Sequence, residues 1–246
     1  VTKVLDGPGT PEHRWSTWSG LRERPALDLR GATHLVVAAP HPDDEVLGVG
    51  GLLATAHAAG VRVEIVAVTD GEASHPRSGA LTPLELARRR RRETAEALRR
   101  LGLERTPVHR LELPDGRVAD HRLTLAVALG ALLTASSWCL APVAGDGHPD
   151  HEATTQAAQT ACARTGARLV EYPVWLWHWA EPDDPRVPWG RARRIELTPA
   201  VAAGKRTALE AFATQIRPLG PGVGDSPILP PRVLARFTRG TEIVFT

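Results

Sequence analysis

Leu35-Val36-Val37-Ala38-Ala39-Pro40-His41-Pro42-Asp43-Asp44-Glu45-Val46-Leu47-Gly48 is the stretch on which the reading of this chain turns. Its unbroken apolar run at 35–39 predicts a central parallel strand covered on both faces. Pro42 presets φ and needs no amide donor, so it suits the first turn of the helix that the pattern at 46–59 predicts. Open α/β sheets are built from such strand-turn-helix units, and they bind ligands at the carboxyl ends of their strands. The tetrapeptide His41-Pro42-Asp43-Asp44 nearly recurs as His148-Pro149-Asp150-His151, again after an apolar run (138–141) and before a helical pattern (150–163).

Outward from these two units the alternation continues. Residues 61–68 predict a strand closed by Thr69-Asp70-Gly71-Glu72, 84–101 a helix with Gly102 as its stop, and 108–111 a strand closed by Leu113-Pro114-Asp115-Gly116. Residues 123–145 carry no charge and are long enough for a membrane span, but Thr124, Thr134, Ser136, Ser137, Pro142 and many alanines predict a buried helix and a buried strand. Strands are then expected at 168–174, 193–197 and 242–245, with a helix at 199–214. Right-handed βαβ units follow, so the expected fold class is α/β: Rossmann-like, a mostly parallel sheet flanked by helices. Pro218, Pro221, Pro227, Pro230 and Pro231 predict an irregular C-terminal cover.

With 246 residues, 42% of them hydrophobic, the chain can bury one large core. Thirty basic and 28 acidic residues leave a formal charge of +2, which gives no reason to expect nucleic acid. Cys139 and Cys162 are too few for a disulfide framework or a thiolate zinc cluster, and read as core residues. Glu12, Arg14, Arg22, Glu23 and Arg24 leave no apolar stretch like a secretory signal, so a cytoplasmic enzyme with no membrane partner is expected.

The first and fourth residues of each tetrapeptide fall on one side of a helical turn, so the side chains can converge. Histidine and aspartate without thiolate suit zinc or another divalent ion such as Fe2+, and three protein ligands plus a water define a catalytic site. His41, Asp44 and His151 make such a set, with Asp43 and His148 left beside it. A carboxylate next to a metal-activated water can serve as general base, and an imidazole can stabilise an oxyanion. Metal-assisted hydrolysis of an amide or an ester is the chemistry expected.

Residues 39–48, with Gly50-Gly51 behind them, resemble the signature of the PIG-L or LmbE-like zinc N-deacetylases. Thr69-Asp70-Gly71-Glu72, the Arg-rich helix through Arg90 and Glu93, Leu113-Pro114-Asp115 and His148-Pro149-Asp150-His151 occur in the family's order. The resemblance spans roughly residues 33–215, between an arm at 1–32 and the cover at 216–246, all in one domain. It implies zinc on His41, Asp44 and His151, a base at Asp43, an electrophilic His148, and substrate contacts at Glu72, Arg90 and Asp115. It also implies removal of an acetyl or other acyl group from an N-acetylated sugar or glycosylated small molecule, in a setting such as antibiotic or mycothiol-type biosynthesis. Pro40 stands where the family commonly has Ala, and Thr214-Gln215 where it has Ser-Gln. A metal-dependent esterase or phosphoesterase, and a non-catalytic sugar- or partner-binding member, are the alternatives; oligomeric state is open.

Trp175, Trp177 and Trp179 alternate, so in a strand they share one face, either as an aromatic platform for substrate or as edge packing. Trp15 and Trp18 are expected to staple the arm to the body. Of Arg88 to Arg92, most are expected on a solvated helix, with Arg89–Glu93 and Arg92–Glu96 spaced for i,i+4 pairing. The glycines at 48, 50 and 51 lack the spacing of a dinucleotide fingerprint, and there is no Gly-x-Ser-x-Gly elbow.

Overall fold

Seven strands form one sheet in the computed structural model, which describes residues 7–246: β1 (His34–Ala39), β2 (Arg62–Ala67), β3 (Val108–Arg110), β4 (Ser137–Pro142), β5 (Arg168–Tyr172), β6 (Ala192–Glu196) and β7 (Thr241–Phe245). Their order is β3-β2-β1-β4-β5-β7-β6. The first five are parallel, and β7 runs antiparallel to both β5 and β6. The long helices are α1 (Asp44–Ala58), α2 (Pro83–Arg100), α3 (Arg122–Leu132), α4 (Pro149–Thr165) and α5 (Pro199–Leu209).

From β1 the chain winds outward through β2 and β3, then returns to lay β4 on the other side of β1. Such a reversal sends the helices that follow the two central strands to opposite faces and leaves a crevice between them. Val46, Val49, Leu52 and Leu53 of α1 pack with Leu35, Val37, Leu140 and Val170. Ala153, Ala157 and Ala161 of α4 pack with Val36, Ala38, Cys139 and Ala141 on the other face. The alternation of β1 residues between two cores is the period of two of a doubly covered strand. Both His-Pro-Asp turns open into that crevice because β1 and β4 are paired neighbours.

Several expectations change. Of the buried helix and strand expected within 123–145, the helix, Arg122–Leu132, is only half covered: Leu125, Ala126 and Leu129 are buried, whereas Leu123 and Val127 face outward. No helix among the described residues is long and apolar enough to cross a membrane. The helix expected to reach 214 stops at Leu209, and a separate turn, Ala213–Ile216, follows Phe212. The final strand, β7, lies between β5 and β6 and so brings the C-terminal tail into the sheet. The first six residues of the expected arm lie outside the described residues, but Trp15 does anchor it, donating from Nε1 to the Trp177 carbonyl at 3.0 Å.

The tryptophan row is the clearest correction. β5 ends at Tyr172, and Leu176–Trp179 is a helical turn, so the three rings share no strand face. Trp177 is 4% exposed, packed edge-on against Trp15 at 5.0 Å beneath the Arg239 guanidinium, and therefore cannot form a substrate platform. Trp175 is half-buried beside His178. The expected arginine pairings also differ: Glu93 accepts from the Thr214 amide and hydroxyl, and Glu96 binds Arg99 and Arg100.

Candidate metal centre

Three donor atoms meet where β1 and β4 end. His41 Nδ1 lies 3.2 Å from Asp44 Oδ2, His151 Nε2 lies 3.2 Å from the same oxygen, and the two nitrogens are 3.3 Å apart. In a tetrahedral zinc site with bonds of ~2.0–2.1 Å, donor atoms stand about 3.3 Å from one another. The triangle therefore has the edge lengths that such an ion imposes on its ligands.

The far side of each imidazole is tied to a carboxylate. His151 Nδ1 meets Asp146 Oδ2 at 2.7 Å, and Asp146 also accepts the amides of Val174, Trp175 and Leu176. His41 Nε2 lies 3.2 Å from Asp150 and 3.3 Å from Asp115. Asp150 accepts the amides of Gly116 and Val118, and Asp115 that of Ala73. Carboxylates already fixed by amide donors hold the imidazole proton on the outer nitrogen and leave the inner lone pairs free for a cation. His41 Nε2, Asp115 and Asp150 also form a compact acidic group, but these amide bonds fit it to orient His41.

The electrostatics agree with the geometry. Burial lowers the affinity of His41 and His151 for protons, yet the surrounding carboxylates outweigh it, raising His41 well above its ordinary value and His151 to about 9. Burial likewise opposes ionisation of Asp44, but the two histidines hold it far below the carboxylate range. A field that draws protons onto two imidazoles also favours a divalent cation between them, and the His/Asp donor set fits zinc.

His148 lies beside this triangle, with a ring nitrogen within 4.8 Å of ring nitrogens of His41 and His151. It caps α4, its Nδ1 accepting the Asp150 amide at 3.2 Å. That bond leaves the proton on Nε2, so beside His41 and His151, whose ring centroids lie 4.8 and 5.0 Å away, it offers a donor rather than a lone pair. Burial and the like charges of the other two rings lower it to about 3, which keeps it neutral.

Asp43 begins α1 with φ +130°, outside the range side chains normally adopt. Its carbonyl accepts the amides of Val46 and Leu47, and its own amide donates to Glu45. Burial pushes its carboxyl up to about 8 against the pull of Arg90, with Asp44 and Glu45 adding to the rise. Gly48 lets the start of α1 lie against Tyr172, whose hydroxyl donates to the Ala38 carbonyl at 2.7 Å; any Cβ at 48 would run into that ring.

Of the other expected site residues, Asp115 is brought to the centre and Glu72 stands behind it, accepting the Asp115 amide at 2.9 Å. Arg90 is buried with its donors turned inward. Asp146 escaped the sequence reading; its only signal was a carboxylate between two glycines, five residues before His151.

Fold and site together define a class: a Rossmann-like α/β protein with a His/Asp cluster, fit to hold a metal ion, at the switch point of its sheet. The chain belongs to the GlcNAc-PI de-N-acetylase (PIG-L) family, whose model matches residues 35–162. It is 30% identical over 161 residues to a 1D-myo-inositol 2-acetamido-2-deoxy-alpha-D-glucopyranoside deacetylase of Mycolicibacterium gilvum, a match that spans 56% of this chain and 56% of that protein. Among solved structures it resembles the conserved protein TT1542 of Thermus thermophilus, with 33% identity, a TM-score of 0.56, and 74% and 79% of the two chains covered. It also resembles the A40926 pseudoaglycone deacetylase Dbv21, at 26% identity and a TM-score of 0.56 over 75% and 82%.

Proposed function

We propose that this chain is a zinc-dependent amide hydrolase that removes an acetyl or other acyl group from an N-acylated amino sugar or glycosylated small molecule. The observation that carries the reading is the triangle of His41 Nδ1, Asp44 Oδ2 and His151 Nε2, with edges of 3.2, 3.2 and 3.3 Å, next to the buried Asp43 carboxyl. A divalent ion held there supplies Lewis acidity toward water and an acyl oxygen. Family membership and the two deacetylases among the similar proteins support the substrate class.

Each residue around the triangle has a job in this scheme. Asp43 takes a proton from the attacking water and returns it to the departing amine. His148 presents Nε2–H to the oxygen on which charge develops, at no cost of reorganisation. Asp146 and Asp150 fix the tautomers of the two ligand imidazoles.

The test is metal analysis together with an acetate-release screen of N-acetylglucosaminyl compounds. One equivalent of zinc, and acetate release abolished by chelator and restored by zinc, is the expected result. Tight zinc binding with no hydrolysis across a broad acetamide panel sinks the catalytic reading, and release from carboxylic or phosphate esters alone sinks the amide reading.

A further inference from the structure

We infer that Lys205 and Glu242 are positioning residues for the candidate metal centre, set into the helix bond between Leu47 and Gly51 so that their ion pair fixes how the turn carrying Asp43 and Asp44 meets the two histidines. The inference rests on the reading of Asp44 as a ligand and Asp43 as the base. Both side chains come from outside α1, Lys205 from α5 and Glu242 from β7, and both are buried. In an unbroken helix the Gly51 amide would donate to the Leu47 carbonyl, four residues back. Here Lys205 Nζ donates to that carbonyl at 2.9 Å and to Glu242 Oε1 at 2.6 Å, and the same oxygen accepts the Gly51 amide at 2.7 Å. One helical hydrogen bond is thus replaced by a carbonyl, an ammonium, a carboxylate and an amide in series.

The break this opens lies at Val49, whose φ of −140° and ψ of 16° leave the helical range. Glu242 Oε2 takes the next amide, that of Leu52, at 2.8 Å, so the carboxylate starts the second half of α1 as a cap starts a helix. Ahead of the break only residues 44–48 remain, little more than one turn. A single turn does not hold its own geometry, because too few hydrogen bonds offset the cost of fixing its residues. It is held from outside instead: Tyr172 lies against Gly48, and Lys205 grips the Leu47 carbonyl. Gly51 makes room for the pair, since a Cβ there would run into the Leu197 side chain and stand 3.1 Å from Glu242 Oε1. Apolar residues of like volume commonly replace a buried ion pair at no loss of stability, so stability is a weak reason for this one. The orientation of the Asp43-Asp44 turn is the reason the geometry supplies.

The test is Lys205→Met combined with Glu242→Leu, which removes the pair and leaves the Gly51 and Leu52 amides no partner but the carbonyls of Leu47 and Gly48. With these bonds α1 is expected to close, turning Asp44 away from His41 and His151. The urea midpoint should stay near that of the unaltered chain, while zinc affinity, measured by competition with a chromophoric chelator, falls by about 10–100-fold. At saturating zinc, acetate release from the best compound of the screen should lose about 10²-fold in kcat with KM nearly unchanged. Unchanged zinc affinity and kcat in the folded double variant overturn the inference. Should that variant not fold, Lys205→Met combined with Glu242→Gln keeps an acceptor for the two amides. It should lose zinc affinity by a smaller factor, and unchanged affinity there overturns the inference equally.

A second measurement needs neither zinc nor substrate and stands even if the centre proves not to hold a metal. The backbone chemical shifts of Val49 in the Lys205→Met, Glu242→Leu variant are expected to move to helical values, because the bond between Leu47 and Gly51 can then form. Shifts that keep their non-helical values overturn the inference, whereas an unaltered chain that binds no zinc sinks the metal reading alone.

Discussion

The Asp146 carboxylate accepts a hydrogen bond from the Nδ1–H of His151 at 2.7 Å while it also accepts three consecutive backbone amides, those of Val174, Trp175 and Leu176. One side chain thus sets the tautomer of a candidate zinc ligand and ends β5. The amides it accepts belong to the turn that follows Pro173 and takes the three tryptophans out of a strand.

Asp146→Asn should keep some of these bonds but can present an NH2 group to His151, moving the ring proton to the inner nitrogen. Zinc affinity is expected to fall by ~10–100-fold. Competition with a chromophoric chelator measures it, and unchanged affinity contradicts the orienting role.

Asp43→Ala separates holding the metal from using it. Asp43 is no corner of the donor triangle, so the variant should bind one equivalent of zinc while turnover falls by about 10²–10⁴-fold. Zinc content and acetate release, measured on the same sample, decide the matter; full activity removes Asp43 from the mechanism.

Behind the centre, Lys205 and Glu242 form a buried ion pair at 2.6 Å across a break in α1. Val49 leaves helical geometry there; Glu242 accepts the freed amides of Gly51 and Leu52, and Lys205 donates to the Leu47 carbonyl. Lys205→Met leaves a buried carboxylate uncompensated, so a loss of roughly 3–5 kcal/mol is expected from urea denaturation. Lys205→Met with Glu242→Gln should lose less than Lys205→Met alone.

Acid should weaken the other end of the sheet. Burial alone would raise Glu64, but His109, Arg62 and His34 outweigh it and hold it below its ordinary value of 4.5. A depressed carboxylate contributes stability above its unfolded pKa and loses it as pH falls through the folded value. The gap in melting temperature between the unaltered chain and Glu64→Gln should narrow as pH falls below the ordinary carboxylate value of 4.5. A gap that widens in acid contradicts it.

The amino-acid order alone determined the α/β class, the positions of most strands and the donors of the candidate metal centre. These are local properties: apolar runs fix which strands are covered, and proline with paired carboxylates marks a turn entering a helix. The closing of that centre is not local, since His41 and His151 are 110 residues apart and meet only because β4 returns to lie beside β1. Tertiary structure also assigned the supporting roles. Asp146 and Asp150 orient imidazoles, Arg90 turns inward although its neighbours in the arginine run, Arg89 and Arg92, are exposed, and Trp177 enters the core although its alternation spelled a strand. Such roles depend on where amide donors from distant loops point, and residue type and spacing carry no record of that.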